Sequence, residues 1–279
     1  MTIEIQHTFS YIYSEPVRLN PHYFYLSPSL SPYQRLISHH IAVSPQPDLL
    51  IKNLDQENNT QHICYINSNI LSLQITAHCK VESEVFSTLD FIFFPYECAQ
   101  LPFKYPAKLS IYVGSALRLK RVSPAIKTYA QAFAATVQHD TIAYLIELTR
   151  HIQRDFAYEI RLDGDPNTAL HTLQTRQGSC RDFVVFMIDM CASVGLLARF
   201  VSGYFIHGRS AQYDLHAWIE VLLPGGGWRG FDPTEGNVID NRYLALARSI
   251  EPKGLVPLRG TYRSEHNGPV EYSSEIRVL

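Results

Sequence analysis

Cys180 lies in the segment whose residue types most directly imply chemistry. Gly178-Ser179-Cys180-Arg181-Asp182-Phe183 brings a thiol through a glycine-led turn to the start of a helix. The first N–H groups of a helix lack partners within it and carry about half a positive charge, which favours thiolate over thiol. The helix is written in Phe183, Phe186, Met187, Met190, Cys191 and Val194, spaced by three and four, with Gly195 to end it. Cys180 stands ahead of that apolar stripe. A lone thiol is ordinarily a small buried hydrophobe, so chemistry here requires a base within reach and a third group to hold that base's tautomer.

Both are offered downstream. Asp214-Leu215-His216-Ala217-Trp218-Ile219-Glu220-Val221 and Trp228-Arg229-Gly230-Phe231-Asp232-Pro233-Thr234 read as strands, and Pro224-Gly225-Gly226-Gly227 between them reads as a turn. A hairpin pivoting at Pro224 sets position 216 opposite position 232, each eight residues from the pivot. Facing residues leave the same side of a sheet with Cβ atoms about 4.5–5.5 Å apart. A slip of one residue would separate them. Cys180, His216 and Asp232 are therefore a candidate nucleophile, base and carboxylate.

The elements that must carry these residues follow from periodicity. Over residues 1–95 alternation dominates: Ile3, Ile5, His7, Phe9, Tyr11 and Tyr13 line one face of an opening strand, and Leu71, Leu73, Ile75, Ala77, Cys79 and Val81 repeat the pattern. His7 is expected to be a core histidine with a hydrogen-bond partner, and Cys79 a packing residue. Turn-rich segments at Ser27–Pro32, Ser44–Asp48 and Asn53–Thr60 make an antiparallel β-sandwich the expected architecture. Asp55-Gln56-Glu57-Asn58-Asn59 lacks the glycine and closing glutamate of a calcium loop and reads as a hairpin turn. His39 and His40 point to opposite faces and cannot share a metal. Residues 96–123, loosened by Pro102 and Pro106, read as the crossing between domains. From 124 to 279 helices precede strands: Asp140 caps a helix over Thr141–Arg150 with Ile142, Leu145, Ile146 and Thr149 inward, and Asn167–Leu173 forms a short one. The tail alternates Val270, Tyr272, Ser274, Ile276 and Val278 with polar residues, a one-sided strand assigned to this second domain. The fold class is α+β.

Composition narrows the function. With 279 residues the expectation is two domains. A net charge of -2 gives no electrostatic reason for a nucleic-acid or anionic-membrane partner. Five cysteines without a C-x-x-C pair speak against a disulfide framework or a zinc site. No apolar stretch approaches the roughly 20 residues of a membrane helix, and the first residues lack the basic and apolar regions of a secretory signal. A cytoplasmic location is expected.

The motifs together resemble the bacterial transglutaminase-like superfamily. The resemblance rests on Gly178 to Phe183, Gly195 with Arg199-Phe200-Val201-Ser202-Gly203-Tyr204, Asp214 to Trp218, and Gly227 to Thr234. Phe156-Ala157-Tyr158 matches the Phe-x-Tyr motif that ends a helix ahead of the catalytic turn. His7, Tyr11, Tyr13, Pro16, Gln34-Arg35 and the Asp55–Asn59 turn resemble its amino-terminal β domain. The resemblance implies a papain-like core with Cys180 as nucleophile, His216 as general base and acid, and Asp232 as orienting carboxylate, acting on a peptide or protein through a thioester without metal or cofactor. The Cys180 N–H is one expected oxyanion donor; Gln177, Gln174 and the Trp218 indole are candidates for the second. Tyr204, His207, Arg209 and Asp214 are expected near the groove. Asp182 reads as structural, tying down the first turn. Hydrolysis of a peptide or amide bond is the favoured outcome. The alternatives are protein-glutamine amine transfer and a non-catalytic peptide-binding module on the same scaffold.

Overall fold

The computed structural model describes every residue except 30, 120, 162–163, 208–212, 252–254 and 265–267. Six strands come first: β1 (Thr2–Leu19), β2 (His22–Phe24), β3 (Gln34–Ser44), β4 (Leu49–Leu54), β5 (Thr60–Tyr65) and β6 (Asn69–Ser83). A helical stretch follows, with α1 (Ala107–Leu119), α2 (Pro124–Thr136), α3 (Thr141–Asp155), β7 (Ala157–Tyr158), α4 (Ala169–Thr175), β8 (Gln177–Gly178) and α5 (Cys180–Ser193). The chain then returns to strands: β9 (Ala198–Phe205), β10 (Leu215–Leu223), β11 (Gly227–Asp232), β12 (Asn237–Val238), β13 (Tyr243–Ser249), β14 (Leu258–Arg259), β15 (Tyr262–Arg263) and β16 (Val270–Val278). The fold is α+β, with the antiparallel strand-rich region first. Among the described residues no helix is long and apolar enough to cross a membrane.

Alternation builds the first sheet as the sequence anticipates. Ile3, Ile5, His7, Phe9 and Tyr13 are buried on β1, and Leu73, Ile75, Ala77, Cys79 and Val81 on β6, which pairs with it antiparallel. Leu71 departs from the pattern and is exposed, while Ile70 is buried. The cause is an irregularity in the pairing between Ile12 and Val17, since extra residues in one strand reset which side faces the core.

The tail strand does not stay with the second half of the chain, contrary to expectation. β16 pairs with β1 from Ile5↔Val278 to Tyr13↔Val270, while β14 joins the sheet of β2, β5 and β4. Residues 96–123 are also more ordered than the expected crossing. Val113 and Ala116 of α1 are buried against Leu197 and Leu222, and the Tyr105 hydroxyl donates to Leu222 O at 2.9 Å while accepting from Leu197 N at 2.9 Å. A bare proline count overlooks such a helix because its apolar face is narrow.

The second half is a sheet in the order β12-β11-β10-β9-β13, with α5 packed on one face and α1 against Leu222, which alternates to the other. Ala217, Ile219, Val221 and Leu223 of β10 share a core with Phe183, Phe186, Met187 and Met190 of α5. That helix is buried on more than the anticipated stripe, for Val184 and Ile188 are also enclosed. Asp140 caps α3, its Oδ1 accepting from Ala143 N at 2.7 Å, a contact worth about 1 kcal/mol. The inward residues of α3 are Tyr144, Leu145, Leu148, Thr149 and Ile152, with Ile142 and Ile146 only partly covered.

Candidate active site

Cys180 is the first residue of α5 and is largely enclosed. What fixes its position is Asp182, fully buried one turn into the helix. Ser179 donates both its N–H and its hydroxyl to Asp182 Oδ2 at 2.8 Å. Arg161 and Asn167 N donate to Oδ1 at 2.5 and 2.6 Å. Gly178 must be glycine here, since a Cβ on it would stand 2.8 Å from Asp182 Cβ. Removing a buried, paired carboxylate costs about 3–5 kcal/mol because its cation is left alone, so Asp182 serves the helix start, as expected. The preceding turn is held by β7 and β8, a parallel pair setting Tyr158 beside Gly178, with the Tyr158 ring edge-on to Phe183.

His216 stands near the start of β10, paired with Gly203 of β9. Its Nε2 and Asp232 Oδ2 are 2.6 Å apart, and the Cys180 thiol is near enough to act on its ring. Burial alone would press this imidazole toward neutrality. The Asp232 charge and hydrogen bond, with the Cys180 contact, outweigh burial and hold His216 well above its ordinary range.

The hairpin register differs from the anticipated one by two residues. β10 pairs with β11 from Leu223↔Gly227 to Ile219↔Phe231, so the turn centres on Gly225, whose φ of 83° suits glycine. Continued, this register faces Trp218 to Asp232 and leaves His216 diagonal to it. A two-residue slip preserves the face, and the carboxylate spans the diagonal. Asp232 is fully buried and satisfied on both oxygens. Oδ2 also accepts from the Tyr243 hydroxyl at 2.9 Å, and Oδ1 from Thr234 N and Glu235 N at 2.9 and 3.2 Å. Tyr243 is in turn held from the first half of the chain, where the Gln34 amide donates to its carbonyl at 2.7 Å.

The remaining expected site residues divide. Trp218 is buried and packs 6.3 Å from the imidazole ring. The Gln177 amide is instead committed to Glu159 Oε2 at the surface, 2.7 Å away, and Gln174 is exposed on α4. Tyr204 does not line a groove: its hydroxyl is 2.9 Å from His7 Nδ1, and it is buried with the core of the first sheet. The alternation of β9 sends it toward the sandwich. Asp214 is exposed just before β10 and lies close enough to Tyr158 to act on its phenol. His207 is exposed, its ring beside those of Phe205 and Tyr213. Arg209 lies outside the described residues.

Two site residues escaped the sequence reading. Tyr243 belongs to a strand whose register joins it to Asp232 only in three dimensions. Tyr158 is half exposed, and burial together with Cys180, Asp214, Glu235 and Asp232 pushes its phenol up to about 12. Its place beside the matched Phe156 was the available signal.

Residues 127–233 match the Transglutaminase-like superfamily core, and residues 3–82 match the Bacterial transglutaminase-like N-terminal region. The chain belongs to the transglutaminase-like superfamily. Among its superfamily relatives is an uncharacterised protein of Mycobacterium tuberculosis, 25% identical over 288 aligned positions that take in 98% of this chain and 91% of that one. A protein-glutamine gamma-glutamyltransferase of Pseudomonas aeruginosa is 29% identical over 107 positions, 33% of this chain and 15% of that protein. Among solved structures, a candidate cysteine protease from Cytophaga hutchinsonii shares this transglutaminase-like fold with a TM-score of 0.75, covering 100% of this chain and 91% of the other at 17% identity.

Proposed function

We propose that this chain catalyses thiol-dependent acyl transfer, with Cys180 as nucleophile, His216 as base and acid, and Asp232 as the group that orients His216. The observation carrying this reading is an imidazole paired with a buried carboxylate and near enough to a thiol at a helix start to feel it. Nε2 is engaged by Asp232, so Nδ1 takes the thiol proton, and the raised proton affinity of His216 leaves Sγ as a thiolate that attacks an amide carbonyl. The amine leaves with that proton, a thioester forms, and Asp232 stabilises the imidazolium until then. The Cys180 N–H serves as one oxyanion donor.

Hydrolysis of a peptide or protein amide is the outcome we favour, and the fold shared with a candidate cysteine protease supports it. Amine transfer is the second reading, supported by the glutamyltransferase relative. We assign the reaction to the cytoplasm, since all five cysteines are free thiols.

Iodoacetamide near pH 6 tests the nucleophile. Cys180 is expected to label well ahead of the other four, because burial pushes up all of their thiols, Cys64 to about 11 and Cys79 to about 12. Equal labelling of all five would sink the triad. A glutaminyl peptide offered with a primary amine then separates the outcomes. Free acid in excess supports hydrolysis, amine adduct in excess supports transfer, and neither product from a thiol that alkylates rapidly would mark a binding module.

A further inference from the structure

Away from Cys180, a cavity of about 980 Å³ opens between the strand-rich first half and the second sheet, lined by Tyr33, Lys52 and Glu57 on one side and Arg199, Glu220 and Arg248 on the other. Glu220 Oε2 accepts from Arg199 Nε and Nη2 at 2.8 and 2.6 Å and from Arg248 Nε at 3.0 Å. Two guanidiniums therefore share one carboxylate, in a cluster whose side chains are only 13–18% exposed. The other carboxylate of the wall is already spent, with Glu57 accepting from Ser249 Oγ at 2.8 Å and from Ile250 N at 3.1 Å.

This leaves positive charge without a protein counterion. Arg229 and Lys52 add to it, so four cations face two carboxylates around the cavity. Arg248 commits only its Nε, and among the described residues neither its Nη groups nor Arg199 Nη1 meets a protein acceptor. Arg199 is further held flat, its guanidinium carbon 4.0 Å from the Trp228 ring centroid. Arg248 is fixed through its backbone, since its N–H donates to Asn59 Oδ1 and its carbonyl accepts from Asn59 Nδ2, both at 2.8 Å. Enclosed charges ordinarily find a partner, and a rigid guanidinium fork matches carboxylate and phosphate oxygens.

We propose that this cavity is a second binding site, taking a small organic anion whose carboxylate or phosphate group sits on Arg248 and Arg199. Tyr33 and Ile239 supply surface for the rest of the molecule. Because the walls come from both halves of the chain, the anion would tie them together.

The test is titration of the full chain with sodium phosphate and, separately, sodium benzoate, each against sodium chloride of equal ionic strength, read by calorimetry and by Tm. Saturable binding that raises Tm is expected with at least one probe. Phosphate alone would identify a phosphate-bearing ligand, benzoate alone a carboxylate. Arg248→Gln should raise the dissociation constant tenfold or more, and Lys52→Gln, which touches no ion pair among the described residues, about threefold. Both variants should alkylate at Cys180 at the wild-type rate, so failure here is separable from failure of the triad. No saturable binding by the wild type, or equal affinity in both variants and wild type, overturns the proposal.

Discussion

His7 and His216 are both strand imidazoles withdrawn from water, and their neighbours drive them in opposite directions. Among the described residues His7 has only neutral partners, Tyr204 Oη and Ser274 Oγ, each 2.9 Å away, so burial lowers its pKa to about 3. His216 has a carboxylate and a thiol, and is raised. The two are close in the fold, because Tyr204 adjoins Gly203, the residue paired with His216. One imidazole is locked neutral as a packing element while the other is set up to carry charge. The partner decides the role, not the burial.

The largest effect should come from breaking the charged case. His216→Ala is expected to reduce turnover and low-pH alkylation of Cys180 by about 10³–10⁴-fold, and Asp232→Asn by about 10²-fold or more. Rates within tenfold of wild type, in variants whose circular dichroism is unchanged, would remove the histidine from the chemistry. The neutral case predicts a different signature. A histidine whose folded pKa lies below its unfolded value contributes stability that is complete above about pH 6.5 and is lost as pH falls toward 3. From pH 7 to 5 this amounts to about 2 kcal/mol. Chemical denaturation at the two pH values should show that loss, and His7→Leu should shrink it; an unchanged difference would contradict a buried neutral His7. The smallest effect sharpens the comparison. Tyr243→Phe removes one of four donors to Asp232, and is expected to slow turnover about 3- to 10-fold, on the scale of one hydrogen bond. A loss of 10³ would make Tyr243 as important as the triad itself.

The same contrast explains what the sequence revealed. The helix start at Cys180 and the pairing of His216 with Asp232 were legible because a helix start and a glycine-rich hairpin are local signals, and parity survived a register error of two residues. The long strands were legible from alternation. Tyr204 was misplaced because the partner that claims it, His7, lies at the other end of the chain. Tyr243 was invisible for the same reason, and the β1–β6 irregularity that exposes Leu71 is a property of the pair, not of either strand. Signals within one element were readable, and those created by two distant elements were not.

The pairing of β16 along β1 has a consequence for biosynthesis. β1 is made before β9–β13, and its neighbour on that edge only after them. Until it is made, one edge of the opening sheet lacks its cover. A message truncated before β16 would therefore release a chain whose β1 edge is left open from Ile5 to Tyr13.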